Sequence, residues 1–127
     1  MPTLSLTRRA ALVASLAAAA GLSLTGNALA HAHLHSSVPA ANATVASPSS
    51  LTLKLSETIE AKFSGVVLTG PDKKPVALGA AALDPKDATT LVVPVTGTLA
   101  AGKYSVDWHV LSSDGHKTKG SFTFEVK

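Results

Sequence analysis

An all-β domain, a sandwich or small barrel, is the fold class this sequence predicts, on three observations. Short segments alternate apolar and polar residues with a period of two, turn residues punctuate them at regular intervals, and beyond residue 30 no stretch has the length or capping of a long helix. The 127 residues make one small domain by length, with 46% hydrophobic residues available for a core and only 4% aromatic.

Residues 1–30 stand apart from the alternating pattern. Arg8 and Arg9 form a charged end, Ala10 to Leu24 an apolar stretch, and Ala28-Leu29-Ala30 a small-x-small cleavage site, which together read as an export signal. The apolar stretch is shorter than the roughly 20 residues a bilayer span needs. Cleavage after Ala30 would start the mature chain at His31, leave no membrane anchor and make 31–127 the folded domain. Thr7-Arg8-Arg9 also suits the twin-arginine export route, and either route implies an address outside the cytoplasm.

The first mature residues, 31 to 35, form a strand if they continue the alternation, with His31, His33 and His35 on one side and Ala32 and Leu34 pointing inward. A turn cluster at Ser47 to Ser50 precedes Leu51-Thr-Leu-Lys-Leu55, a half-buried strand by its period. Further strand signals cover Lys62 to Leu68, Thr90 to Val95, Lys103 to Val110 and Ser121 to Val126. Gly70-Pro71-Asp72, Asp84-Pro85, Ala101-Gly102 and Asp114-Gly115 punctuate them. Gly79 to Leu83 is too short and too poorly capped for a helix and reads as a loop. The expected core takes Leu53, Leu55, Phe63, Val67, Leu91, Val93, Tyr104, Val106, Trp108, Phe122 and Phe124, while His109 falls on the opposite face of its strand from Trp108.

Composition excludes several functions. Removing Arg8 and Arg9 from the eleven basic residues leaves nine against eight acids, so no nucleic-acid footprint remains. There is no cysteine, hence neither a disulfide nor a thiolate site, and the one methionine, Met1, lies in the segment to be removed. A site for soft Cu(I) has lost its usual ligands.

What remains is nitrogen and oxygen chemistry. A free His31 would offer its amine and its imidazole as one chelate ring, a strong grip on Cu(II), which favours tetragonal nitrogen and oxygen donors. His33 in third place allows a different wrap, through the amine, two deprotonated amides and one imidazole; the two arrangements exclude each other. Asp114-Gly115-His116 holds a carboxylate and an imidazole two residues apart in a turn, a spacing that an ordinary structural turn also produces.

Several segments together resemble one family: His31-Ala-His-Leu, Ser37-Val-Pro-Ala40, Leu53-Lys-Leu-Ser-Glu57, Tyr104-Ser-Val-Asp-Trp108, Ser112-Ser-Asp-Gly-His116 and Gly120-Ser-Phe-Thr-Phe124. They are similar to the CopC family of periplasmic copper-resistance proteins over essentially the whole mature chain. The resemblance implies a seven-stranded Greek-key β-barrel or sandwich, cupredoxin-like or immunoglobulin-like in outline. It also implies a Cu(II) site of His31 (amine and ring), Asp114 and His116, with Glu57 as an outer partner or weak ligand; His33, from its own place in the chain, is a further weak or outer candidate. Glu57 reads equally well as a solvated acid at a strand end, and His35 most simply as a solvated surface histidine with a secondary ligand role as the lesser alternative. Thr69 to Asp87, where two-site members carry a Met-rich loop with a His, contains neither residue, so a Cu(II)-only protein is implied.

Three functions follow from these residues. The first is a monomeric periplasmic protein, not an enzyme, that sequesters Cu(II) or delivers it to a CopD-type inner-membrane transporter or another copper-handling protein. The second is a small histidine-brace copper oxidoreductase, opposed by the few loops available for a substrate surface and by Asp114, which would fill a position that oxygen activation needs open. The third is a metal-free interaction module, for which the sequence offers neither a peptide groove nor an aromatic patch.

Overall fold

The computed structural model describes residues 32–127, so the expected leader, its cleavage point and His31 lie outside the described residues. Nine strands follow in order: β1 (Leu34–Val38), β2 (Thr44–Val45), β3 (Ser50–Leu55), β4 (Gly65–Thr69), β5 (Pro75–Val76), β6 (Ala82–Asp84), β7 (Asp87–Pro94), β8 (Gly102–Leu111) and β9 (Lys117–Val126). They form a four-stranded sheet in the order β1-β3-β7-β6 and a five-stranded sheet in the order β2-β9-β8-β4-β5. The all-β class holds, as two sheets packed face to face and not as a closed barrel. The count exceeds seven because β2 and β5 are two residues each, too short to carry a period in sequence.

Alternation builds the core. In β3, Leu51, Leu53 and Leu55 are buried while the residues between them are partly exposed, and β8 repeats the pattern with Tyr104, Val106, Trp108 and Val110. Leu91 and Val93 of β7, Leu68 of β4, and Phe124 and Val126 of β9 complete it. Tyr104 and Phe124 stack with ring centroids 5.6 Å apart, and the Tyr104 hydroxyl donates to the Ala100 carbonyl, which gives the one polar atom of that ring a partner. Trp108 is a core residue, as expected, and its ring lies over Gly120 directly across the β8–β9 ladder. A Cβ on Gly120 would come within 2.7 Å of that ring, so only glycine fits there.

Some expectations need correcting. Phe63 and Val67 are not core: they are 59% and 50% exposed. The reason is a 3-10 turn at Ala61–Phe63, which breaks the expected 62–68 strand; β4 then begins at Gly65 with Leu68, not Val67, on the inner face. The 79–83 loop is partly a strand, since Ala82 and Leu83 pair with Val92 and Leu91 of β7. The last strand starts at Lys117, four residues before the expected Ser121, because its first turns are held by pairing with β8 and not by an apolar pattern. Among the described residues no helix is long and apolar enough to cross a membrane.

Candidate metal centre

The β8–β9 connection is a five-residue loop, Ser112 to His116, closed by backbone bonds from Ser112 N–H to the His116 carbonyl (2.9 Å) and from Gly115 N–H to the Ser112 carbonyl (2.9 Å). Gly115 takes φ +94°, a conformation that L side chains rarely adopt, and this bend turns His116 back over Asp114. His116 Nδ1 lies 3.1 Å from Asp114 Oδ1, with the two side chains 50% and 43% exposed. The Ser112 hydroxyl donates to the same Oδ1, and Ser112 itself is buried. Those bonds, Ser112 first and His116 second, hold the Asp114 carboxyl at about 2, below its ordinary 3.8. Asp114 is therefore an anion at any physiological pH. When Nδ1 of His116 carries the ring proton, Nε2 is left as an acceptor for a metal.

The start of the described chain comes to the same place. Ala32 is only 1% exposed, and its carbonyl accepts a 2.8 Å bond from the Thr118 hydroxyl, across 86 residues of sequence. Thr118 stands two residues after His116, so residue 32 is pinned to the strand that leaves the His116 loop. His33 is exposed and tied through its backbone: its N–H donates to Ser56 Oγ and its carbonyl accepts from Ser56 N–H, both at 2.9 Å. The inward Ala32 and outward His33 and His35 match the expected alternation, with a bulge between Leu34 and Ser36.

Glu57 follows Ser56, and the next residues join the site loop: the Ser113 N–H donates to the Thr58 carbonyl at 2.9 Å, and Ile59 bridges to Ser112. Glu57 Oε2 is buried, and among the described residues no hydrogen-bond partner reaches it. A buried carboxylate oxygen without a donor is costly unless a cation or an N–H from elsewhere meets it. Among the described residues no three His, Cys, Asp or Glu side chains converge as a metal site. Asp114 and His116 are together, Glu57 and His33 enter on the segment beside them, and His31 lies outside the described residues. Sequence reasoning missed Ser112 and Thr118; a hydroxyl flanking each side of an Asp-x-His turn was the available signal.

A two-sheet β-domain that carries a carboxylate and an imidazole on one hairpin loop, with Ala32 pinned to the strand that leaves that loop, belongs to the class of small β-sandwiches. Residues 34–127 match the CopC domain family, and the chain belongs to that family. Copper resistance protein C of Pseudomonas syringae pv. tomato is 40% identical over 114 residues, covering 86% of this chain and 90% of the relative. Protein YobA of Escherichia coli K12 is 48% identical over 105 residues, covering 82% and 85%. Among solved structures, PcoC, a methionine-rich copper resistance protein from Escherichia coli, matches with a TM-score of 0.70 at 42% identity, covering 77% of this chain and 100% of that one. CopC from Methylosinus trichosporium OB3b matches with a TM-score of 0.70 at 30% identity, covering 76% and 94%.

Proposed function

We propose that this chain is exported, cut after Ala30, and binds one Cu(II) ion through the His31 amine and ring, Asp114 and His116, with Glu57 and His33 beside them. Its work is binding and not turnover: it sequesters copper outside the cytoplasm or delivers it, as a monomer, to a CopD-type inner-membrane transporter or another copper-handling protein. The copper resistance proteins it matches support copper as the cargo. The donor set supports the divalent ion. The chain has no cysteine and no methionine after Met1, in contrast to the methionine-rich PcoC, so amine, imidazole and carboxylate are what it can offer.

One contact carries the reading. The Thr118–Ala32 bond sets the peptide next to His31 beside the turn that presents Asp114 and His116. That bond supports a site to which segments far apart in the sequence both contribute. The unpartnered Glu57 oxygen fits the same picture, since a protonated amine at His31, or the metal that replaces its proton, would answer its charge. Affinity falls on acidification because protons compete for the amine and the imidazoles.

The test is a Cu(II) titration followed by electron paramagnetic resonance, on the chain that begins at His31 and on the chain that retains residues 1–30. A nitrogen-rich type 2 signal saturating at one equivalent in the first, and lost in the second, is the expected result. Equal affinity in both would remove the amine from the site. No bound signal in either would remove copper from the function.

A further inference from the structure

The outer face of the five-stranded sheet carries two adjoining hollows; Thr118 lines one of them, and none of His33, Glu57, Asp114 and His116 lines either. One, of about 530 Å³, lies between Lys62, Phe63, His109, Lys117 and Lys119. The other, of about 470 Å³, shares His109 and Lys119 with it and continues past Val67, Asp107 and Gly120. Strand register explains why they join: Gly65, His109 and Lys119 form one cross-strand row, and Val67, Asp107 and Ser121 the next. Glycine at 65 keeps the floor low, because a Cβ there would meet the His109 ring at 3.0 Å; the imidazole lies across the bare backbone.

Chemistry and shape point to the same occupant. Phe63 and Val67, two of the three large apolar side chains exposed among the described residues, flank the hollows. Lys62, Lys117 and Lys119 surround them, none in an ion pair among the described residues, with Lys62 Nζ 5.9 Å from the Phe63 ring centroid. Asp107 is the one acid in the lining. Three ammonium groups around an apolar hollow select an apolar side chain flanked by carboxylates. A bilayer surface is flat and would meet the rim without filling the hollow; a protruding side chain fills it.

We propose that this face docks a partner protein through an apolar side chain set between acidic residues. Because Lys117 directly follows His116, the docked partner abuts the β8–β9 loop. The proposal holds whether or not that loop binds metal, and it is tested on the metal-free chain from His31 onward, which contains the whole described core.

The probe is a synthetic peptide with a central leucine flanked on each side by two aspartates, titrated into the isotope-labelled protein and followed by amide chemical shifts. Shifts gathered at residues 62–67, 107–111 and 117–121 are expected. Raising salt from about 50 to about 300 mM weakens that binding. The double substitution Lys117→Glu with Lys119→Glu, at exposed positions where a dispersed spectrum reports an intact fold, lowers affinity at least about tenfold. Three results overturn the proposal: no shifts, or shifts scattered elsewhere; equal binding of the peptide with asparagine in place of aspartate; or binding to phosphatidylglycerol vesicles with none to the peptide, which would make the face a membrane contact.

Discussion

Two carboxylates of this domain, Asp87 on the four-stranded sheet and Asp114 in the β8–β9 loop, are both held below the ordinary carboxylate range, yet by different sets of partners. Asp87 is closed. Its Oδ2 takes Lys54 Nζ at 2.8 Å and the Thr90 hydroxyl at 2.9 Å, while Oδ1 takes the Thr89 N–H and hydroxyl. Asp114 is open: its hydrogen bonds among the described residues all fall on Oδ1, from Ser112 and from the backbone and ring of His116, and Oδ2 is left over. A lowered pKa is therefore common to an acid closed on both oxygens and to one whose bonds fall on a single oxygen. In the proposed copper site, Oδ2 of Asp114 is the oxygen that would take up an ion without first losing a bond.

The sharpest way to break this contrast is to remove each acid's side of it. His116→Ala should lower Cu(II) affinity at least about a hundredfold, since it deletes an imidazole donor outright, whereas Asp87→Ala should leave the copper titration unchanged and lower the melting temperature. Equal copper loss in both variants would end the distinction.

Thr118→Val comes next. It takes the donor from the Ala32 carbonyl, which should weaken copper about tenfold and destabilise the fold by about 1–2 kcal/mol, with Thr118→Ser restoring both. Unaltered copper binding in the valine variant would show that the chain start needs no pin. Gly115→Ala should have a smaller effect on copper, a few-fold weaker site as the turn relaxes, with a similar stability cost of about 1–2 kcal/mol from the positive φ.

Acid unfolding sharpens the comparison at its mildest. Both aspartates have folded pKa values below the unfolded one, so their stabilisation is present in full above about pH 4 and is lost as pH falls toward the folded values, about 2 for Asp114. Asp87→Asn should flatten the fall in urea midpoint below pH 4 more than Asp114→Asn does, because Asp87 alone is paired to a lysine. The reverse ranking would mean that Asp114 is the more deeply engaged acid.

Much of the fold was legible because period two is a local property. Leu51 to Leu55 and Tyr104 to Val110 announced their inner faces, and both are as expected. Phe63 and Val67 were misplaced for an equally physical reason: one 3-10 turn shifts the phase of everything in its strand, and a single turn leaves no periodic trace. The short strands β2 and β5 were invisible because two residues have no period.

For the site, the residue types along the chain settle which chemistry is possible: imidazoles and carboxylates without a thiol, and an Asp-Gly-His turn that can hold two donors. Whether those donors meet is decided only by the packed sheets. The Thr118–Ala32 bond spans 86 residues, and Thr58 and Ile59, which follow Glu57, meet a loop more than fifty positions away. Alternation along one strand does not encode such long-range contacts; they exist because two sheets buried one core.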